Sequence, residues 1–274
     1  MELAQVQIFE RNAFYRISEI SDVANAAGQG RIVSENGAEP ATLGEAAYQR
    51  LRADIVAGTL EAGKPLRLEA LRQRYGLSFS PLREALMRLQ SERLVLSTAL
   101  RGFSVAPLSR DEMKDATETR ILIECEALRR SMRDGDDDWE AGIVAAFHAL
   151  GLQVERQLRS AGRLEAADIS AMEERHHHFH RALIAHCGSP RLLEMADQLY
   201  IETQRYRLPS LVGQVAGSQR RDVSAEHREI MDAALGRSEA AIGHLAEHYR
   251  RTAAMIEASI EWPSPARSDT RPPR

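Results

Sequence analysis

From Ser109 to about Trp262 the sequence repeats one kind of text: "SRDEMKDATETRILIECEALRRSM", "DDWEAGIVAAFHALGLQVERQLRS", "EAADISAMEERHHHFHRALIAHC", "PRLLEMADQLYIETQRYRL", "SQRRDVSAEHREIMDAAL" and "SEAAIGHLAEHYRRTAAMIEASI". Each stretch has apolar residues at helical spacing, Gly, Pro or polar residues close it, and strand signals are few. The first opens on Ser109 with Glu112 three residues later, a capping-box pattern. A helix with one apolar stripe has to bury that stripe against another element. Six such helices with short connections predict an all-helical bundle over residues 109–262.

The text upstream is different. "TLGEAAYQRLRADIVAG" begins with Thr42 and Glu45 three apart, and Leu43, Ala47, Leu51 and Ile55 step at helical spacing towards Gly58. "LEALRQRYG" is a short helix with Leu68, Leu71 and Tyr75 on one side and Gly76 as its stop. In "LSFSPLREALMRLQSERLV", Ser80 is placed to cap and Pro81 sits in the first turn, ahead of Leu82, Leu86 and Leu89. Two helices a few turn residues apart, with basic residues on the second, form a helix-turn-helix. Behind them "LVLSTALRGFSVAPL" divides into strands Leu94–Ser97 and Phe103–Ala106 around a turn at Gly102, a hairpin that makes a wing.

The fold class expected is therefore mainly α: an N-terminal winged helix-turn-helix over residues 41–108, then a bundle of about six helices. Residues 1–40, with Gly28, Gly30, Gly37 and Pro40 and no sustained period, are read as a poorly ordered extension. The four-proline tail after Trp262, residues 263–274, is read as disordered.

Charge divides along the same boundary. The whole chain carries −4, but residues 41–105 hold ten Lys/Arg against six Asp/Glu. A basic module on an acidic body suits a protein that meets phosphate with one part only. The N-terminus lacks a basic segment followed by an apolar block, and no apolar run approaches a membrane span. Cys125 and Cys187 lie far apart without CxxC spacing, so neither a disulfide framework nor a thiolate site is indicated. The expected location is the cytoplasm.

On "PLREAL", "RLQSERLV" and "RGFSVAPL", the segment Leu51–Leu108 resembles the winged helix-turn-helix of the GntR family of bacterial transcription regulators. The resemblance implies that Ser80 to Gln90 is the recognition helix, entering the major groove N-terminus first. It implies DNA contacts by Arg83 on that helix, by Arg67 before the preceding helix, and by Arg101 and Gly102 at the wing tip. Phe79 stands where the family usually has arginine; contact with a thymine methyl is what a phenyl ring can offer there. Through "TRILIECEAL", "FHRALIAHCGSPRLL", "EHREIMDAAL" and "HLAEHYRR" the remainder resembles the FCD effector-binding domain of the FadR-type branch.

That resemblance maps a metal-ligating set onto His176, His180, His227 and His248. The last interval is one residue short of the usual, which leaves His244 as a substitute for His248. The residues speak for the first pair independently: at i and i+4 both imidazoles leave one helix face and can share an ion, whereas His177 and His178 point elsewhere and are surface residues by default. All-imidazole donors suit zinc or nickel, among other transition metals, and not magnesium or calcium. An apo polar pocket is the competing reading of the same histidines.

Arg120, with Glu124 four residues on, matches the family's RxxxE and is nominated to bind a small carboxylic acid effector; an intrahelical ion pair is the alternative. Arg175 and Arg205 are weaker candidates. The expected protein is a homodimeric, ligand-responsive repressor of a double-stranded DNA operator, with a hinge around "VAPLSRDE" and neither enzyme activity nor a membrane partner. A metal-dependent hydrolase is the rival reading, but HExxH or another base arrangement is missing from the sequence. A helical scaffold that binds only protein is another, and it leaves the basic module without a purpose.

Overall fold

The computed structural model describes residues 42–98, 102–159, 166–213 and 221–262. The expectations for residues 1–40, for 263–274 and for Arg101 lie outside them.

Helix α1, Leu43–Val56, starts where Thr42 Oγ1 accepts the Glu45 N–H at 3.1 Å. Its buried stripe is Ala47, Tyr48, Leu51 and Ile55; Leu43, expected on that stripe, is 65% exposed, and in the first turn it is Gly44 that faces inward, against Glu84. Helix α2, Leu68–Tyr75, ends on Gly76 at φ +67°, a left-handed cap that a side chain with a Cβ disfavours. Helix α3 runs Phe79–Ser91 with Ser78, not Ser80, at the cap position. The helix thus starts earlier than expected. Pro81 falls within its first turn, where a missing N–H costs no intrahelical bond.

Strands β2 (Val95–Thr98) and β3 (Gly102–Val105) form the wing, each offset from its expected bounds by one residue. Gly102, at φ +80°, begins the return strand. A third strand, β1 (Pro65–Leu66), completes a sheet of order β1-β3-β2 by pairing Pro65 with Ser104 and Leu66 with Phe103. These residues carry no strand signal in the sequence. Two residues are too few to show a period, and proline is tolerated in an edge strand. Leu51, Leu82, Leu86, Leu89, Leu94 and Val95 are fully buried and make this part's core. At roughly 1.5–3 kcal/mol each for removal from water, they supply most of what holds so small a unit together.

Six further helices follow: α4 Arg110–Asp134, α5 Asp137–Arg159, α6 Ala166–Ile184, α7 Pro190–Gly213, α8 Val223–Leu235 and α9 Ala240–Ser259. Ser109 Oγ caps α4 by accepting the Glu112 N–H at 3.3 Å, as its spacing predicted. Leu128, Ile143, Phe179, Leu183, Ile230 and Leu245 meet in the bundle core. Helix α7 packs on α4 and also reaches α1, with Ile201 against the winged core. Arg205 on α7 donates to the carbonyls of Ala106 (3.1 Å) and Pro107 (2.8 Å), so the segment joining the two parts is held by the bundle and not loose.

Candidate functional site

His176 and His180 lie one turn apart on α6, His227 on α8 and His248 on α9. One ring nitrogen from each comes within 4.8 Å of all the others. The bundle does this with its core: Phe179, fully buried between the two α6 histidines in sequence, packs its ring 5.5 Å from the His180 ring and 5.1 Å from His227. His180, His227 and His248 are buried and His176 is partly so.

The hydrogen bonds decide which nitrogens face inward. Glu226 accepts from His248 Nδ1 at 2.9 Å, which leaves the Nε2 lone pair for the cluster. Tyr249 gives its hydroxyl proton to Glu124 at 2.5 Å, so His180 Nδ1, 2.9 Å from that hydroxyl oxygen, donates to it and His180 Nε2 is also free. His227 Nε2 is buried with no hydrogen-bond partner. An orphaned buried nitrogen of this kind asks for an acid to bind, a proton or a metal ion. His176 Nε2 stands 3.2 Å from His180 Nε2. Two imidazoles about 2.0–2.1 Å from one tetrahedral ion would have their nitrogens about 3.3 Å apart. A carboxylate behind one histidine and a tyrosine–carboxylate pair behind another are the outer partners that orient metal-binding imidazoles. The residues present therefore fit a divalent transition ion.

Protons are the weaker competitor. Burial pushes all four imidazoles well below their ordinary range. Neighbouring Arg207 pushes His176 further and the adjacent histidines push His180 and His227. His248 is lowered to about 4 by burial even though Glu226 works in the opposite direction. Burial raises Glu226, but Arg221 and His248 outweigh it and hold the carboxylate well below the usual range.

Beside the cluster, Arg120 is buried in a network. It pairs with Glu124, donates to Tyr249 at 3.2 Å and sits 4.2 Å from the centre of the Tyr249 ring. Arg120 makes the intrahelical pair, and with Thr117, Thr203, Arg207, Tyr249 and Thr252 it lines a gap. That gap is about 30 Å³, room for a water or two.

The other candidates are placed elsewhere. Arg175 borders an open surface groove shared with His177 and His178, and Arg205 is engaged by the Ala106 and Pro107 carbonyls, so neither lies among the contacts of the four clustered histidines. His244 is exposed, 3.8 Å from Glu229, because α9 turns its 244 position outward and its 248 position inward. His178 is exposed, but His177 is more than a surface residue: it lies 3.1 Å from Asp197 and stacks on Tyr200 at 4.1 Å. Sequence reasoning missed Glu173, Tyr200 and Arg207, which are buried next to His176. It also passed over Glu226 and Tyr249, although each is the immediate neighbour of a ligand candidate.

On the winged module, Arg67, Phe79, Ser80, Arg83 and Gly102 are all exposed. Neighbouring cations are engaged: Arg72 by Glu69, Arg74 by Asp54 and Arg88 by Glu45. The side chains of Arg67 and Arg83 make no hydrogen bond or ion pair among the described residues. Phe79 is 44% exposed with the Arg72 guanidinium 5.7 Å from its ring centre, and Met87, 65% exposed, lies on the same helix. An outward surface with two uncommitted arginines is the arrangement a polyanion can use.

Comparison with known proteins gives a consistent answer. A family model described as bacterial regulatory proteins, gntR family, matches residues 43–105, and the FCD domain model matches residues 115–251. The chain is 43% identical to the HTH-type transcriptional regulator BphR of Paraburkholderia xenovorans (strain LB400), over 72% of this chain and 77% of that one. It is 33% identical to the HTH-type transcriptional repressor GlaR of Escherichia coli (strain K12), over 75% and 91%. Among solved structures, E. coli McbR/YncC superposes with a TM-score of 0.63 at 19% identity over 79% and 98%, a likeness of fold.

Proposed function

Because the chain belongs to the GntR family of bacterial transcriptional regulators, with an FCD domain following its winged helix-turn-helix, we propose that it is a ligand-responsive repressor whose helical domain holds a divalent metal. Helix α3 enters the major groove of a double-stranded operator, with Ser80 and Arg83 at its leading end and Phe79 offering an apolar contact. Arg67 and the wing tip at Arg101 and Gly102 meet the flanking backbone. A homodimer presents two such helices to a symmetric site.

His176, His180, His227 and His248 hold the metal, zinc or nickel by their donor type. When bound, the ion would supply a Lewis-acidic anchor for a small carboxylic acid taken as a further ligand beyond the four imidazoles, and Arg120 would take the acid's remaining charge. The gap beside Arg120 is too small for such an acid as it stands, so binding has to part α4 from α7 and α9. That movement is where the effector gains its leverage on the DNA-binding module, since it must favour one arrangement over another to have any effect. The family is one of regulators and not enzymes, and Glu226, in contact with His248, is committed to His248 and Arg221 and is not free to act as a general base.

The observation that carries the reading is the orphaned His227 nitrogen among three further imidazoles, in a chain whose other part leaves Arg67 and Arg83 uncommitted. Two measurements test it. Elemental analysis of purified, untagged protein gives about one transition metal per chain, lost in His180→Ala. Titration with the duplex upstream of its own gene gives binding that weakens steeply with salt and loses about 1–3 kcal/mol in Arg83→Ala. Metal-free protein that cannot be loaded, or DNA binding indifferent to Arg83, refutes the corresponding half.

A further inference from the structure

Three of the four imidazoles are ready to bind an ion and one is not. Arg207 Nη1 lies 3.0 Å from His176 Nδ1. A guanidinium can only donate, so Nδ1 is the acceptor and the ring proton sits on Nε2, facing the cluster. An ion needs that Nε2 lone pair. Once Nε2 binds metal, the proton moves to Nδ1 and two donors confront each other. Ligation by His176 and its hydrogen bond from Arg207 are mutually exclusive. His180 Nδ1 donates to the Tyr249 hydroxyl; His248 Nδ1 is approached by Arg221 Nη2 at 3.1 Å but also has the Glu226 carboxylate at 2.9 Å to take its proton, an acceptor that His176 Nδ1 lacks among the described residues.

What Arg207 does instead is constrained by burial. Its other nitrogen, Nη2, pairs with Glu173 and donates to the Tyr200 hydroxyl at 2.9 Å. Glu173 Oε2 accepts from Gln204 Nε2 at 3.1 Å, and Gln204 Oε1 accepts from Arg52 Nη2 at 2.7 Å. Arg52 is on α1, the helix that packs against α3. Glu173, Gln204 and Arg207 are all buried, so water does not replace a broken link cheaply. A guanidinium displaced from His176 closes on Glu173 and competes there with Gln204, which loosens its hold on Arg52.

We propose that Arg207, through Glu173 and Gln204, couples occupancy of the histidine cluster to Arg52 and so to the position of helix α1 in the DNA-binding module. This rests on the metal reading above. Arg207 is a positioning residue in this scheme, and the responding ligand is His176. By reciprocity, whatever fixes α1 also changes the cluster's affinity for its ion, typically by about 5–150-fold for couplings of this kind.

The test uses the full chain, zinc alone as the probe, and hydrogen–deuterium exchange of the α1 peptides as the readout. In the wild type, zinc changes exchange over residues 43–56. In Gln204→Leu, a position with no hydrogen bond to the histidines among the described residues, zinc still binds while the zinc-dependent change over α1 disappears. In the double variant Arg207→Met with Glu173→Gln, which removes the buried ion pair as a unit, zinc binds more tightly and α1 again does not respond. A zinc response of α1 that persists in Gln204→Leu, or zinc affinity unchanged in the double variant, overturns the coupling while leaving the metal site standing. No zinc binding by the wild type removes the metal reading itself and the coupling with it.

Discussion

Acidifying the metal-free protein tests the histidine cluster without needing its ligand. His248 has a pKa of about 4 in the folded protein against an ordinary value of 6.5. Because the folded pKa is depressed, the unfolded chain binds the proton more readily, and stability rises with pH across the window between the two values. The contribution is intact above about 6.5 and is lost as pH falls towards 4. Between pH 7.5 and 5.5 the unfolded chain takes up nearly a full proton at this position and the folded one almost none. At 1.36 kcal/mol per pKa unit this costs about 1.4 kcal/mol. In a protein of this size that corresponds to a fall in Tm of about 3–6 °C. His176, His180 and His227 are lowered in the same direction, so the measured fall exceeds what His248 alone produces. The assay is thermal unfolding with a chelator present throughout, at constant ionic strength. A Tm that stays level or rises from pH 7.5 to 5.5 refutes the reasoning, since it means the imidazoles are not held neutral by burial. With zinc in place of the chelator the protein is more stable at pH 7.5, and the gain shrinks on acidification as protons compete for the same lone pairs.

Phe79→Arg on the leading end of α3 adds a phosphate contact, so the salt dependence of DNA binding steepens by about one unit of slope; an unchanged slope means this position faces away from the duplex. Phe179→Ala empties a fully buried site beneath two of the histidines and costs about 3–5 kcal/mol by urea unfolding, with weaker zinc binding besides. A loss under 1 kcal/mol contradicts that packing. Gly135→Ala places a Cβ 2.3 Å from a Trp139 ring carbon and 2.6 Å from the Ser131 carbonyl oxygen, so it lowers the unfolding midpoint by the equivalent of about 1–3 kcal/mol, and a neutral result shows that the α4–α5 turn relaxes more freely than its contacts imply.

Much of this protein was legible locally. The caps at Thr42 and Ser109, the stop at Gly76 and the apolar stripes of the helices are statements about residues three or four apart, and a helix brings such residues together whatever else the chain does. The HxxxH pair was legible for the same reason, and the spare charge of residues 41–105 needed only counting. His227 and His248 were reached by family resemblance, because nothing local links positions 47 and 68 residues beyond His180. Strand β1 was missed because two residues carry no period, and Ser80 was mistaken for a cap because Ser78 offers the same chemistry two residues earlier.

What only the tertiary structure decided is which of several equivalent polar groups face one another. Arg175, Arg205 and Arg207 are indistinguishable as letters. Arg175, on α6, is left at the edge of a surface groove, while packing of α7 against α4 and α1 sends Arg205 to the linker carbonyls and Arg207 to His176. The choice between His244 and His248 was likewise made by which face of α9 meets α8. Buried hydrogen bonds form between whatever groups the packed backbones bring within about 3 Å, a condition set by the whole bundle and written in no single stretch of sequence.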